Sequence, residues 1–73
     1  MEFQLKTEFI ELDNVLKAMG LAENGARAKQ HIQAGLVKVN GQVETRVRRK
    51  LRPGDSVESG TQLVMIVAGS ISS

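Results

Sequence analysis

The sequence predicts an α+β domain in which two helices precede a set of short strands, and three observations carry that reading. Apolar residues at Leu12, Val15, Leu16 and Met19 fall on one stripe of a helix. Ala28 and Ile32, four residues apart between Asn24 and Gly35, give a second and narrower stripe. From Val37 the period changes to two and runs into Asn40-Gly41, a dipeptide suited to the positive φ angles of a tight hairpin.

Taken in order, Glu2 to Leu5 alternates polar and apolar with Phe3 and Leu5 on one side, which predicts a short edge strand before the pattern breaks at Thr7 and Glu8. The first helix turns Asp13, Asn14 and Lys17 away from its stripe and stops at Gly20. The second is expected from Gly25 to near Ala34, with Asn24 capping its first turn, Gly35 its last, and Ala28 small enough for close helix packing. In the hairpin Val37 and Val39 point one way and Lys38 the other, and Val43 continues the return strand. Across Thr45 to Arg52, Val47 and Leu51 are expected inside, with Arg46, Arg48 and Lys50 outside. Pro53-Gly54-Asp55 reads as a turn, Ser56 to Glu58 as a short strand and Ser59-Gly60 as another turn. Thr61 to Ala68, rich in β-branched residues, reads as a buried closing strand, and Gly69 to Ser73 as a flexible tail.

A chain of 73 residues is expected to form a single domain over 1–73 with a small core. Without cysteine it can build neither a disulfide nor a thiolate metal site, which fits a reducing compartment, so a cytoplasmic location is expected. The longest apolar run, Leu63 to Ala68, is far short of the roughly 20 residues of a membrane span. The acidic N-terminus lacks the basic and apolar regions of a secretory signal. His31 is the sole histidine, expected on a flank of the second helix rather than in a pocket, so a metal site of the usual His and Cys spacing cannot be assembled and a Ser, His, Asp triad has a single candidate base. The glycines stand at helix ends rather than in a phosphate loop. The expectation is a protein that is no enzyme, with no cofactor, metal or small-molecule substrate.

Charge is distributed very unevenly. Arg27, Lys29, Lys38, Arg46, Arg48, Arg49, Lys50 and Arg52 face only Glu44 within one segment, a net +7, while the rest of the chain carries −5. Such a field points to a polyanionic partner. Basic residues come from separate elements: Arg27 and Lys29 from the start of the second helix, where unpaired N–H groups favour a phosphate, and Lys38 and Asn40 from the hairpin. Phe3 and Phe9, the only aromatic residues, lie in the N-terminal segment and are expected away from the basic patch, which argues against a stacking platform for unpaired bases. Folded RNA, recognised largely by shape, phosphate and 2′-hydroxyl contacts, fits better.

The string Gly25-Ala26-Arg27-Ala28-Lys29, followed by Ile32, Gly35, Val37, Val39, Asn40 and Gly41, with Gly54-Asp55 and Val57 downstream, resembles the RNA-binding domain named after ribosomal small-subunit protein four. The Leu16-Lys17 pair of the preceding helix fits as well, and the resemblance covers roughly Leu12 to Val67. It implies two antiparallel helices packed on a small, strongly bent, mostly antiparallel sheet, the alpha-L motif, and a helix-hairpin face that binds structured RNA, commonly ribosomal RNA or a ribosomal particle. Little of the chain lies outside the match, so it looks like the stand-alone bacterial YbcJ type, acting as a monomer, rather than a domain of a pseudouridine synthase or a tRNA synthetase. Position by position, the resemblance implies RNA contact by Arg27, Lys29 and Lys38, and Arg46, Arg48 and Lys50 match a basic stretch of the stand-alone type. Arg49 and Arg52 join them by charge and location. Many members carry Arg where this chain has Gly25, so one phosphate contact at the helix start is missing or moved.

Two other classes share part of this pattern. Ubiquitin-like sulfur carriers also show a Val-Asn-Gly hairpin and a late Gly-Asp-x-Val strand, but they need a terminal Gly-Gly, and this chain ends Ala68-Gly69-Ser70-Ile71-Ser72-Ser73. A basic module that grips an acidic protein would show the same charge, and the identity of a co-purifying partner would separate it from an RNA binder.

Overall fold

In a computed structural model that describes residues 1–69, the chain runs β1 (Glu2–Leu5), β2 (Ile10–Glu11), α1 (Leu12–Ala18), α2 (Gly25–Gln33), β3 (Val37–Val39), β4 (Gln42–Val43), β5 (Lys50–Leu51), β6 (Ser56–Ser59) and β7 (Gln62–Ala68). Five strands form one sheet in the order β1-β7-β6-β3-β4, antiparallel throughout except for β1 against β7, and β2 with β5 forms a separate antiparallel ladder. The fold is therefore α+β with a mostly antiparallel sheet, as expected, and β1 is the expected edge strand.

Local chemistry fixes both helices. Asn24 adopts an extended backbone and its side chain accepts from the Arg27 N–H at 2.9 Å, which starts α2. Gly35, at φ +78°, ends it, and that left-handed geometry is open to glycine at little cost. α1 has no side-chain cap, because the N–H groups of Leu12 and Asp13 donate instead to the carbonyls of Arg49 and Val47 at 2.9 and 3.1 Å. The hairpin between β3 and β4 has positive φ at both Asn40 and Gly41, as the dipeptide requires.

One core joins the layers. Leu12, Val15 and Leu16 of α1 and Ala28 and Ile32 of α2 pack with Leu5, Val37, Val39, Leu51, Val57, Val64 and Ile66 from the strands, with Phe3, Met19 and Val47 at its margin. One expectation needs correction. The closing strand is buried on one face only: Val64 and Ile66 point inward, while Leu63 and Met65 are 48% and 39% exposed, because the helices cover a single side of the sheet. The break after Leu5 is followed by a strand that no periodicity marks, since Ile10–Glu11 is too short to show one. Gly69 is the last described residue, and the rest of the expected tail lies outside the described residues. No helix among the described residues is long and apolar enough to cross a membrane.

Candidate nucleic-acid interface

The segment from Glu44 to Arg52 carries the densest charge, and its path is set by its backbone rather than by its cations. Val47 and Arg49 offer their carbonyls to the start of α1, β5 pairs with β2 through Ile10↔Leu51 and Glu11↔Lys50, and Leu51 is fully buried. Those ties leave the long side chains outside. Arg46, Arg48, Arg49 and Lys50 together line one shallow, open depression in the surface.

Inside that depression the charges are unequal. Glu44, 8% exposed, accepts from Arg46 Nε and Nη2 at 3.0 Å each and from Arg49 Nη1 at 2.7 Å. The Arg46 guanidinium is the main reason its carboxyl falls from the usual 4.5 to about 2, against a burial that works the other way. Two of the cations are thus partly matched, whereas Arg48 and Arg52 are exposed and make no ion pair among the described residues. Lys50 places Nζ 4.8 Å from the centre of the Phe9 ring. That contact corrects the expectation that both phenylalanines lie away from the basic patch. Phe3 does point into the core margin, but Phe9 immediately precedes β2 and so sits beside β5. A single half-buried ring beneath a lysine still makes no stacking platform.

The helix end adds a smaller group. Arg27 and His31 border a shallow, open surface groove with Gly20, Leu21, Ala22 and Glu23. Lys29 is exposed on α2. Asn24 occupies the Arg27 N–H, in its expected capping role, which leaves one fewer free donor for a phosphate at this helix start. Lys17, absent from the expected set, brings its Nζ to 4.0 Å from where a Gly25 side chain would begin. The missing side chain at Gly25 thus opens space that an ammonium group from α1 approaches. Sequence spacing gives no hint of it, because the two residues meet only when the helices pack.

Lys38 has a different setting. Val37 and Val39 are buried beneath the helices, so Lys38 projects from the opposite face of the sheet, in a row with Val43, Glu58 and Leu63. It does not line the arginine depression. Asn40 is occupied structurally: its side chain donates to Asp55 at 3.0 Å and accepts from the Ser56 N–H at 2.9 Å. Asp55 also accepts from the Arg52 N–H at 2.9 Å. Burial opposes its ionisation, but that amide, the Asn40 side chain and nearby Arg49 and Arg52 outweigh it and lower its pKa.

Comparison with known proteins agrees with this architecture. A family model described as S4 domain matches residues 3–67. The Escherichia coli (strain K12) protein named "Putative RNA-binding protein YbcJ" is 44% identical over 63 residues, which is 86% of this chain and 90% of that one. The Shigella flexneri protein named "Uncharacterized protein YbcJ" matches to the same extent. The solution structure of E. coli YbcJ, described as revealing an alfaL motif involved in RNA-binding, superposes with a TM-score of 0.71 at 44% identity, covering 92% of this chain and 86% of that one. By sequence and by fold, the chain belongs to the S4 domain family.

Proposed function

We propose that this protein is a non-catalytic RNA binder that docks structured RNA, ribosomal RNA or a ribosomal particle, on the basic loop between β4 and β6, as a monomer in the cytoplasm. The observation that carries the reading is the convergence of Arg46, Arg48, Arg49 and Lys50 on one depression whose backbone is tied to α1. Membership of a family whose relative is named for RNA binding supports the choice of polyanion. Arg52 extends the face along the chain, and Arg27, Lys29 and Lys17 supply a second group at the helix end. Lys38 is a peripheral contact, since Glu58 beside it weakens its field.

Binding works through phosphates. A shallow surface with no base-stacking platform reads the spacing of backbone charges in a folded RNA, and each neutralised phosphate releases counterions. With about four to six such contacts, the affinity falls with salt at a log–log slope on the order of −3 to −5. Crosslinking the tagged protein in cells and sequencing the attached RNA tests the reading, with an Arg48→Glu, Arg52→Glu variant as control. Enrichment of structured RNA by the wild type alone is expected; recovery of an acidic protein without RNA would replace the RNA reading with a protein-interaction module.

A further inference from the structure

Glu44 is the only acid between Arg27 and Arg52, and in a face that binds a polyanion its charge has the wrong sign. Its geometry accounts for its presence. The carboxylate is buried and accepts four hydrogen bonds, from the Arg46 backbone N–H, Arg46 Nε and Arg46 Nη2 at 3.0 Å each, and from Arg49 Nη1 at 2.7 Å. The Arg46 contact is a two-pronged fork, with Nε on one carboxylate oxygen and Nη2 on the other.

The exposed half of that arrangement matters as much. The Arg46 side chain remains 73% exposed and that of Arg49 29%, while the carboxylate side is 10% exposed. A guanidinium carries five N–H donors in one plane, so a carboxylate on the Nε and Nη2 edge leaves the Nη1 edge free and fixes where it points. An arginine without that anchor would sample many rotamers and lose that freedom on meeting a phosphate. Glu44 removes this loss in advance for Arg46, and in part for Arg49, which it holds at one nitrogen. The depression lined by Arg46, Arg48, Arg49 and Lys50 then has two of its cations in set positions.

We propose that Glu44 is a positioning residue: it holds Arg46 and Arg49 in the orientation that receives RNA phosphates, so that a buried acid strengthens the binding of a polyanion. The proposal rests on the reading of this face as the RNA interface. It opposes the simple electrostatic expectation, in which removing a negative charge from a basic face raises affinity for RNA.

Glu44→Gln decides between the two, measured with a fluorescent RNA stem-loop of about twelve base pairs as probe. At roughly 0.15 M salt, the variant is expected to bind at least about fivefold more weakly than the wild type despite its extra positive charge. Glu44→Asp, which keeps the charge, should recover part of the loss. Equal or tighter binding by a folded Glu44→Gln protein would overturn the proposal. Should that variant fail to fold, Arg46→Lys gives the answer: charge and Glu44 are kept, the fork is lost, and binding should fall at least about threefold, with unchanged affinity as the contrary result. Solvent exchange of the Arg46 Nε proton, slow in the wild type and fast in Glu44→Gln, reports the anchor without RNA; equally fast exchange in both would also overturn it. A wild type that does not bind the stem-loop would sink the RNA reading itself, whereas a wild type that binds while Glu44→Gln binds tighter would sink only the role of Glu44.

Discussion

Glu44 and Asp55 are both acids next to the same basic run, and they hold different things. Asp55 accepts from the Arg52 backbone and from the Asn40 side chain, which in turn accepts from the Ser56 N–H, so this end of the loop is a clasp between two turns. Glu44 takes one backbone N–H and three guanidinium N–H groups, so the other end of the loop is ordered at its cations. The first network supports the fold and the second shapes a surface. A charged segment can thus have its path and its side chains fixed by separate devices, and the two can be disturbed separately.

Reversing the two cations that make no ion pair among the described residues tests the surface while leaving the hydrogen bonds of both networks in place, since Asp55 is held by the Arg52 backbone N–H rather than by its side chain. Arg48→Glu with Arg52→Glu is expected to weaken RNA binding by a factor of about 30 or more, near 2 kcal/mol, while thermal melting moves by no more than about 3 °C. Arg46 is deliberately spared, since a glutamate there would face the buried Glu44 and unfold the loop for reasons unrelated to RNA. Asp55→Ala tests the clasp and should do the converse. Loss of its bonds to Asn40 and the Arg52 N–H should cost about 1–2 kcal/mol in denaturant unfolding, with RNA affinity undiminished.

Acid titration sharpens the comparison further. Because the folded-state pKa of Glu44 is lowered from 4.5 to about 2, its contribution to stability is complete above about pH 4.5 and is lost as pH falls toward 2. Asp55 is lowered as well and adds to the same slope. Melting temperatures of the wild type should therefore drop across that window, and Glu44→Gln should show a shallower drop that Asp55 still shapes; parallel curves would remove the buried pairing. The smallest effect is expected at His31, where Gln should leave RNA affinity within about threefold, under ~0.7 kcal/mol. A tenfold loss would make the groove shared by His31 and Arg27 part of the main interface.

Much of this fold was legible because its signals are local. The α1 stripe, the Asn24 cap, Gly35 and the Asn40-Gly41 turn each act within a few residues, and each stands where it was expected. The closing strand was misread for a physical reason: Leu63-Val64-Met65-Ile66-Val67-Ala68 is apolar at every position, so sequence cannot show that one of its faces stays uncovered. The β2–β5 ladder has two residues on each side and no period to detect. In the candidate site the abundance of cations was plain, but their order was not. Glu44 reaches Arg46 two residues away and Arg49 five away, a combination that neither a single helix nor a single strand places on one face. Lys17 and Phe9 join the basic region only through packing between elements distant in sequence.

We propose that the loop from Glu44 to Arg52, rather than the outer face of the sheet, receives RNA. Titrating the 15N-labelled protein with the RNA stem-loop and following amide and arginine side-chain shifts tests it most directly. The largest changes are expected from Arg46 to Arg52, with a second cluster at Lys17 and Arg27. Changes confined to Lys38, Glu58, Leu63 and Met65 on the opposite sheet face would contradict it.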